Sequence, residues 1–263
     1  MPSTPPAGSE SPAADQSRTA RARTLLAGRP GLVALPALAS LLSLSSLARA
    51  LAAGPGGGVT FPLPGGLPTV WTYASLPTSG SVPVAAGGLG LVPGLAAFLV
   101  GTVLGGALEA GLVGTLDDLA AGRSPSLLAA ARRHVVPVTL ARLLRASLIL
   151  LAAPFVLAAP LLGVVIVPLL LLASYALYGL PFVIVVEERA FRPALSRTLV
   201  IARDGGVYLR FAVAHVLAGA AVSLPVSVLI RGGLPGVFVA VAVTAPVGAF
   251  VAAYGVLLFR ELS

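Results

Sequence analysis

Three ionisable side chains stand inside otherwise apolar stretches of the chain: Glu109, Arg145 and His215. A charge at depth in hydrocarbon is costly, so such residues face the interior of a helix bundle and pair there, or they line a route for a proton or a substrate. Counting about 1.5 Å per residue from the expected helix ends puts each of them about 8–12 Å inside one face. They form the candidate intramembrane polar cluster. Glu109 is expected to meet Arg145, with Arg142 as the other possible partner. Arg142 and Arg210 lie nearer the surface, where a long side chain reaches water by snorkelling.

Other chemistry is hard to find. The chain has no HExxH, GxSxG or P-loop pattern. His134 and His215 are its only histidines, and cysteine is absent. A zinc site takes three or four ligands, so no metal and no cofactor is expected. No pairing of a nucleophile with a base is visible, so no catalytic residue is assigned and the chain is read as a non-enzyme.

The elements that must position these residues follow from composition. Of 263 residues, 57% are hydrophobic and 10% charged, against roughly 25% charged in soluble domains. Mean hydropathy is +0.99. No water-soluble core could hide that much apolar surface, so lipid is the solvent for much of it. Ala146 to Val186 carries no charge over about 41 residues, or about 60 Å as helix, twice a bilayer core. It therefore holds two crossings, with Pro160 and Gly163 at the reversal. Further apolar runs lie at Gly31–Ala53, Leu91–Gly114, Val207–Ile230 and Val237–Phe259. The expectation is an all-α polytopic bundle of six transmembrane helices.

Two short interfacial helices are expected as well. One starts at Ser124-Pro125, read as an N-cap followed by Pro at the first helical position. The other starts at Arg192-Pro193, and its arginines Arg189, Arg192, Arg197 and Arg203 are candidate contacts for anionic lipid. Residues 1–29 read as a disordered, Arg-containing tail and residues 30–263 as the membrane domain. The uncharged stretch 54–90 reads as a long outer loop lying on or capping the bilayer. In that loop Val70-Trp71-Thr72-Tyr73 is a short strand or an interfacial anchor. Gly101 and Gly105 form a GxxxG, continued by small residues at Gly106, Ala110 and Gly114, as at close helix contacts in lipid.

All 17 basic residues are arginine, and net charge is +8. They flank the apolar runs, so they report topology and not nucleic-acid binding. The expected setting is the cell (plasma) membrane. Both termini and the connections at 115–137 and 187–206 would be cytoplasmic, facing anionic headgroups.

Gly179-Leu180-Pro181-Phe182-Val183-Ile184-Val185-Val186-Glu187 resembles a membrane helix that ends at a fixed acid. Ala194-Leu195-Ser196-Arg197-Thr198-Leu199 and Arg203-Asp204-Gly205-Gly206-Val207-Tyr208 resemble the amphipathic segment and the basic-Gly-aromatic step after it. Gly122-Arg123-Ser124-Pro125-Ser126-Leu127 resembles the matching upstream segment. Together they are similar to the six-helix membrane domain attached to membrane-bound glycerophosphodiester phosphodiesterases and to its stand-alone relatives. The resemblance spans about residues 90–230. Thr198 stands where Ser is expected and Tyr208 where Trp is common. It implies a fold and a membrane setting. Nothing here is long or polar enough to form the phosphodiesterase barrel, so no hydrolase activity is implied.

Two functions compete. One is a non-catalytic membrane scaffold, partner subunit or lipid-associated module, whose protein partner the sequence does not identify. The alternative is a transporter or permease component with an intramembrane polar site. Convergence of Glu109, Arg145 and His215 on a water-filled cavity would favour the alternative.

Overall fold

The computed structural model describes residues 12–52, 66–74 and 91–263. In chain order the helices are α1 (Pro12–Leu26), α2 (Pro30–Leu41), α3 (Leu44–Ala52), α4 (Val70–Tyr73), α5 (Leu91–Ala120), α6 (Leu127–Ala158), α7 (Pro160–Leu177), α8 (Leu180–Val186), α9 (Phe191–Asp204), α10 (Gly206–Ile230) and α11 (Gly233–Leu262). No strand occurs among the described residues. The fold is an all-α polytopic bundle. Five spans are long and apolar enough to cross a membrane: α5, α6, α7–α8 together, α10 and α11. The pair α1–α2, bent by 87°, is a sixth candidate.

The first crossing, expected as one helix from Gly31 to Ala53, is broken at Leu42-Ser43 into α2 and α3. Ser40 and Ser43 return their hydroxyls to the carbonyls of Pro36 and Ala39 one turn back. Such bonds compete with the helix ladder and bend it.

Ahead of it, α1 corrects the expectation of a disordered tail over residues 12–26. Arg18 is buried and its Nε donates to Glu261 at 2.6 Å, while Ala22 enters the main core. A tertiary partner thus orders a segment whose own sequence is too polar to fold alone. Residues 1–11 lie outside the described residues.

The first expected interfacial helix does not stand apart. Ser126, not Ser124, is the N-cap, accepting from Ala129 N, and α6 then runs unbroken through Arg132, Arg133 and His134 into the span. A polar stretch alone does not end a helix when nothing in it breaks the ladder. The second interfacial helix is α9, which turns Ala194, Thr198, Ile201 and Ala202 toward the core.

Helices α5 and α6 form a close hairpin. A Cβ on Gly106 would fall 2.3 Å from Thr139 Oγ1, and one on Gly114 would fall 2.7 Å from Ala130 Cβ. The contact stripe is therefore Gly106, Ala110 and Gly114. Gly101, the first residue of the GxxxG, touches nothing within 4 Å.

The span α7–α8 breaks at Tyr178-Gly179, ahead of Pro181. The missing proline N–H leaves Leu177 C=O without its helical donor. The hydroxyl of Tyr208 enters the adjacent gap: it accepts from Gly179 N at 3.3 Å and donates to Tyr175 O at 2.6 Å. A side chain spliced into the ladder is a recognised cause of a kink. Tyr178 and Tyr208 stack at 4.9 Å, and Phe182 and Phe259 stack at 5.2 Å beside them. Tyr178, Phe182, Tyr208 and Phe259 thus form one buried aromatic cluster.

Candidate functional site

Ion pairs gather one end of the bundle. Asp117 at the end of α5 is held by Arg123 at 2.6 Å and by Arg260 of α11 at 2.5 Å. Asp118 also takes Arg123, at 2.7 Å. The hydrogen bond to Asp118, with both carboxylates near, raises the Arg123 pKa above its ordinary value. Glu187 holds Arg189 and Arg197, and Arg197 also donates to Leu262 O at 2.6 Å. Of the four arginines expected on lipid, Arg189 and Arg197 are therefore engaged by the protein. Arg192 and Arg203 are exposed on the side of α9 away from its buried face, near exposed Leu199 and Val200. These two remain available to headgroups.

Deeper in the bundle, Glu109 is 1% exposed. Helix α5 continues beyond Gly114, so about 16 Å of helix separate Glu109 from Ala120, more than the 8–12 Å expected. Its partner is Arg142, whose Nη1 lies 2.7 Å from Glu109 Oε2. Arg145, the expected first partner, turns elsewhere. Its Nη2 reaches Leu177 O at 3.4 Å, the carbonyl that Pro181 leaves open, and its buried Nε has no hydrogen-bond partner among the described residues. Register explains the choice. Arg142 is one turn nearer the depth of Glu109, while Arg145 falls level with the α7–α8 break.

His215 lies apart from both, between Tyr73 at 6.2 Å and Phe211 at 6.3 Å between ring centroids. Its Nε2 and the Tyr73 hydroxyl are buried without hydrogen-bond partners among the described residues. No hydrogen bond or ion pair links any two of Glu109, Arg145 and His215. Arg145 lies within electrostatic reach of Glu109 and Arg142 without bonding to Glu109, and His215 belongs to a separate set of contacts.

What holds the centre together is a stretch assigned in sequence to the outer loop. Residues 66–74 sit among the middles of the helices. Gly66 N donates to Glu109 Oε1 at 3.0 Å, Val70 N donates to Ser40 Oγ at 3.0 Å, and Trp71 Nε1 donates to Ser40 O at 2.6 Å. A Cβ on Gly248, halfway along α11, would meet Pro68 O at 2.5 Å. Val70-Trp71-Thr72-Tyr73 is not a strand. It is one helical turn with a capping box between Thr69 and Thr72. Irregular backbone is tolerated at this depth because protein surrounds it: Gly66, Leu67, Pro68, Val70 and Tyr73 are buried. The rest of the 54–90 stretch lies outside the described residues.

Sequence reasoning missed Ser40, Gly66 and Gly248. Ser40 had no distinguishing signal among the serines near it. Gly248 had a weak one, a small residue in an alanine-rich helix. Searched against family models, curated proteins and solved structures, the chain finds no match.

Proposed function

We propose that this is a non-catalytic multi-pass membrane protein, a scaffold or partner subunit associated with anionic lipid. The observation that carries the reading is the fate of the buried charges. Glu109 is closed by Arg142 and a backbone N–H, Arg145 serves a broken helix, and His215 is packed between aromatic rings. These are contacts that hold a bundle together, not a shared polar chamber. Exposed Arg192 and Arg203 on α9 support a lipid-facing role for the arginine-rich end. The positive-inside rule favours that end as cytoplasmic, with both termini there, in the plasma membrane. The resemblance to the membrane domain of glycerophosphodiester phosphodiesterases supports the same setting without an enzymatic role.

Reporter fusions at Ser79 and Arg192 test the topology and are expected on opposite sides of the membrane. For function, proteoliposomes containing the chain are expected to show no proton flux above empty vesicles, and replacing Arg192 and Arg203 with Gln is expected to lower retention on anionic vesicles. One observation favours the transporter alternative: segment 66–74 places non-helical backbone against an acid midway through the bundle, as discontinuous elements do in transporters. Proton flux abolished by Glu109→Gln with unchanged stability would establish it.

A further inference from the structure

At the arginine-rich end, a cleft of about 400 Å³ opens between α2, the end of α5 and the start of α6. That volume lies within the usual range of small-molecule sites. Leu32, Leu35, Leu119 and Leu127 line it. Arg29, at the α1–α2 corner, lines it too. Arg29 spends one guanidinium N–H on Leu25 O at 2.7 Å and has no acidic partner among the described residues, so further donors remain.

Two more features mark the cleft as built for an anion with an apolar tail. Helix α2 begins beside it with no side chain capping its N-terminus and no acid in its first turn. Gly31 keeps that terminus uncovered, since a Cβ there would meet nothing within 4 Å. Pro30 has no N–H and Leu32 N–H is donated to Arg29 O at 3.1 Å, so the helix dipole and the Gly31 N–H are what favour negative charge here. The second feature is Thr115, which lines the cleft and is 5% exposed. Thr102, Thr198 and Thr244 each return their hydroxyl to the carbonyl one turn back. Thr115 does not, and its buried Oγ1 has no hydrogen-bond partner among the described residues. A buried hydroxyl without a partner calls for an acceptor or donor from outside the protein. The nearby acids do not oppose an anion, because Asp117 and Asp118 are already neutralised by Arg123 and Arg260.

We propose that this cleft holds one anionic phospholipid, with its phosphate on Arg29 and the α2 N-terminus. An ester or hydroxyl oxygen of the lipid meets Thr115, and an acyl chain lies along the leucines. The site is distinct from the lipid-facing side of α9. It rests on the reading of this end as the headgroup side.

The test is native mass spectrometry of the full chain, released from detergent after titration with phosphatidylglycerol or phosphatidylcholine. One phosphatidylglycerol is expected to be retained in preference to phosphatidylcholine. Arg29→Gln should weaken it about tenfold, and Arg29→Lys should recover most of that, as for a charge-assisted contact. Gly31→Phe, whose Cβ meets no protein atom within 4 Å and whose ring can occupy the cleft, should abolish retention while the lipid-free melting temperature stays unchanged. Replacing Arg192 and Arg203 with Gln should leave this one lipid bound even where vesicle retention falls, which separates the cleft from the α9 reading. Equal retention of the two lipids overturns the proposal, as does phosphatidylglycerol surviving Gly31→Phe or displacement by inorganic phosphate alone.

Discussion

Helix α11 and the span α7–α8 are almost equally apolar, with hydropathies of 2.1 and 2.3, yet 56% of the most apolar window of α11 is buried inside the protein and only 11% of that of α7–α8. For α11 against α7 the difference lies in side-chain size; α8, with Leu180, Phe182, Val183 and Ile184, is the buried end of its span. The buried side of α11 carries Ala240, Ala245, Gly248, Ala249, Ala252, Ala253 and Gly255. On α7, Leu161, Val164, Val165, Leu169 and Leu172 face outward. Without a hydrophobic drive between helices in lipid, backbones that approach closely gain dispersion contacts, and small residues permit the approach. Hydropathy thus separates membrane from water. Between α11 and α7, small-residue content separates the neighbour that is protein from the neighbour that is lipid, whereas α8 is buried by large side chains at the arginine-rich end.

The sharpest way to break this comparison is one substitution made in both regions. Gly248→Leu must push against the backbone of Pro68 and is expected to cost about 3 kcal/mol. Gly163→Leu, whose Cβ meets only the Val156 side chain at 3.5 Å, is expected to stay within about 0.5 kcal/mol. Equilibrium unfolding in mixed micelles reads both, followed by Trp71, the single tryptophan, which sits on Ser40 inside the bundle. Equal losses would mean that size does not set the neighbour.

Next in size is Glu109→Gln, expected to cost about 2 kcal/mol because it leaves Arg142 without its carboxylate at depth. Adding Arg142→Gln should cost little more, whereas Arg145→Gln should add a loss of its own. Non-additivity with Arg145 in place of Arg142 would overturn the pairing. Tyr208→Phe follows, at about 1–2 kcal/mol, since it strands Gly179 N–H at the helix break and leaves Tyr175 C=O only the Tyr178 N–H at 3.4 Å. Faster hydrogen exchange at Gly179 should accompany it. The smallest effect is expected at Leu161, 86% exposed, where Leu161→Ala should change stability by less than about 0.5 kcal/mol. A larger loss that depends on protein concentration would reveal a second chain covering the α6–α7 hairpin.

The sequence by itself determined the class of solvent, the helical architecture and the reversal near Pro160, because a bilayer demands long apolar runs with their backbone bonds closed internally. It also marked Glu109 as a residue in need of a partner. Pro168 and Pro181 both mark places where the ladder lacks a donor, but only at Pro181 does the helix break, while Pro137, Pro154, Pro168, Pro225 and Pro246 stay inside continuous helices. Tertiary structure decided which arginine answers Glu109, because Arg142 and Arg145 are alike in type and only helix register separates them. It ordered α1, whose Arg18 finds Glu261 across nearly the whole chain length. It also drew residues 66–74 into the bundle. Local sequence there signals only an uncharged, Pro- and Gly-rich loop. The acceptors that hold it, Ser40 and Glu109, come from other helices and exist as a site only once those helices have packed.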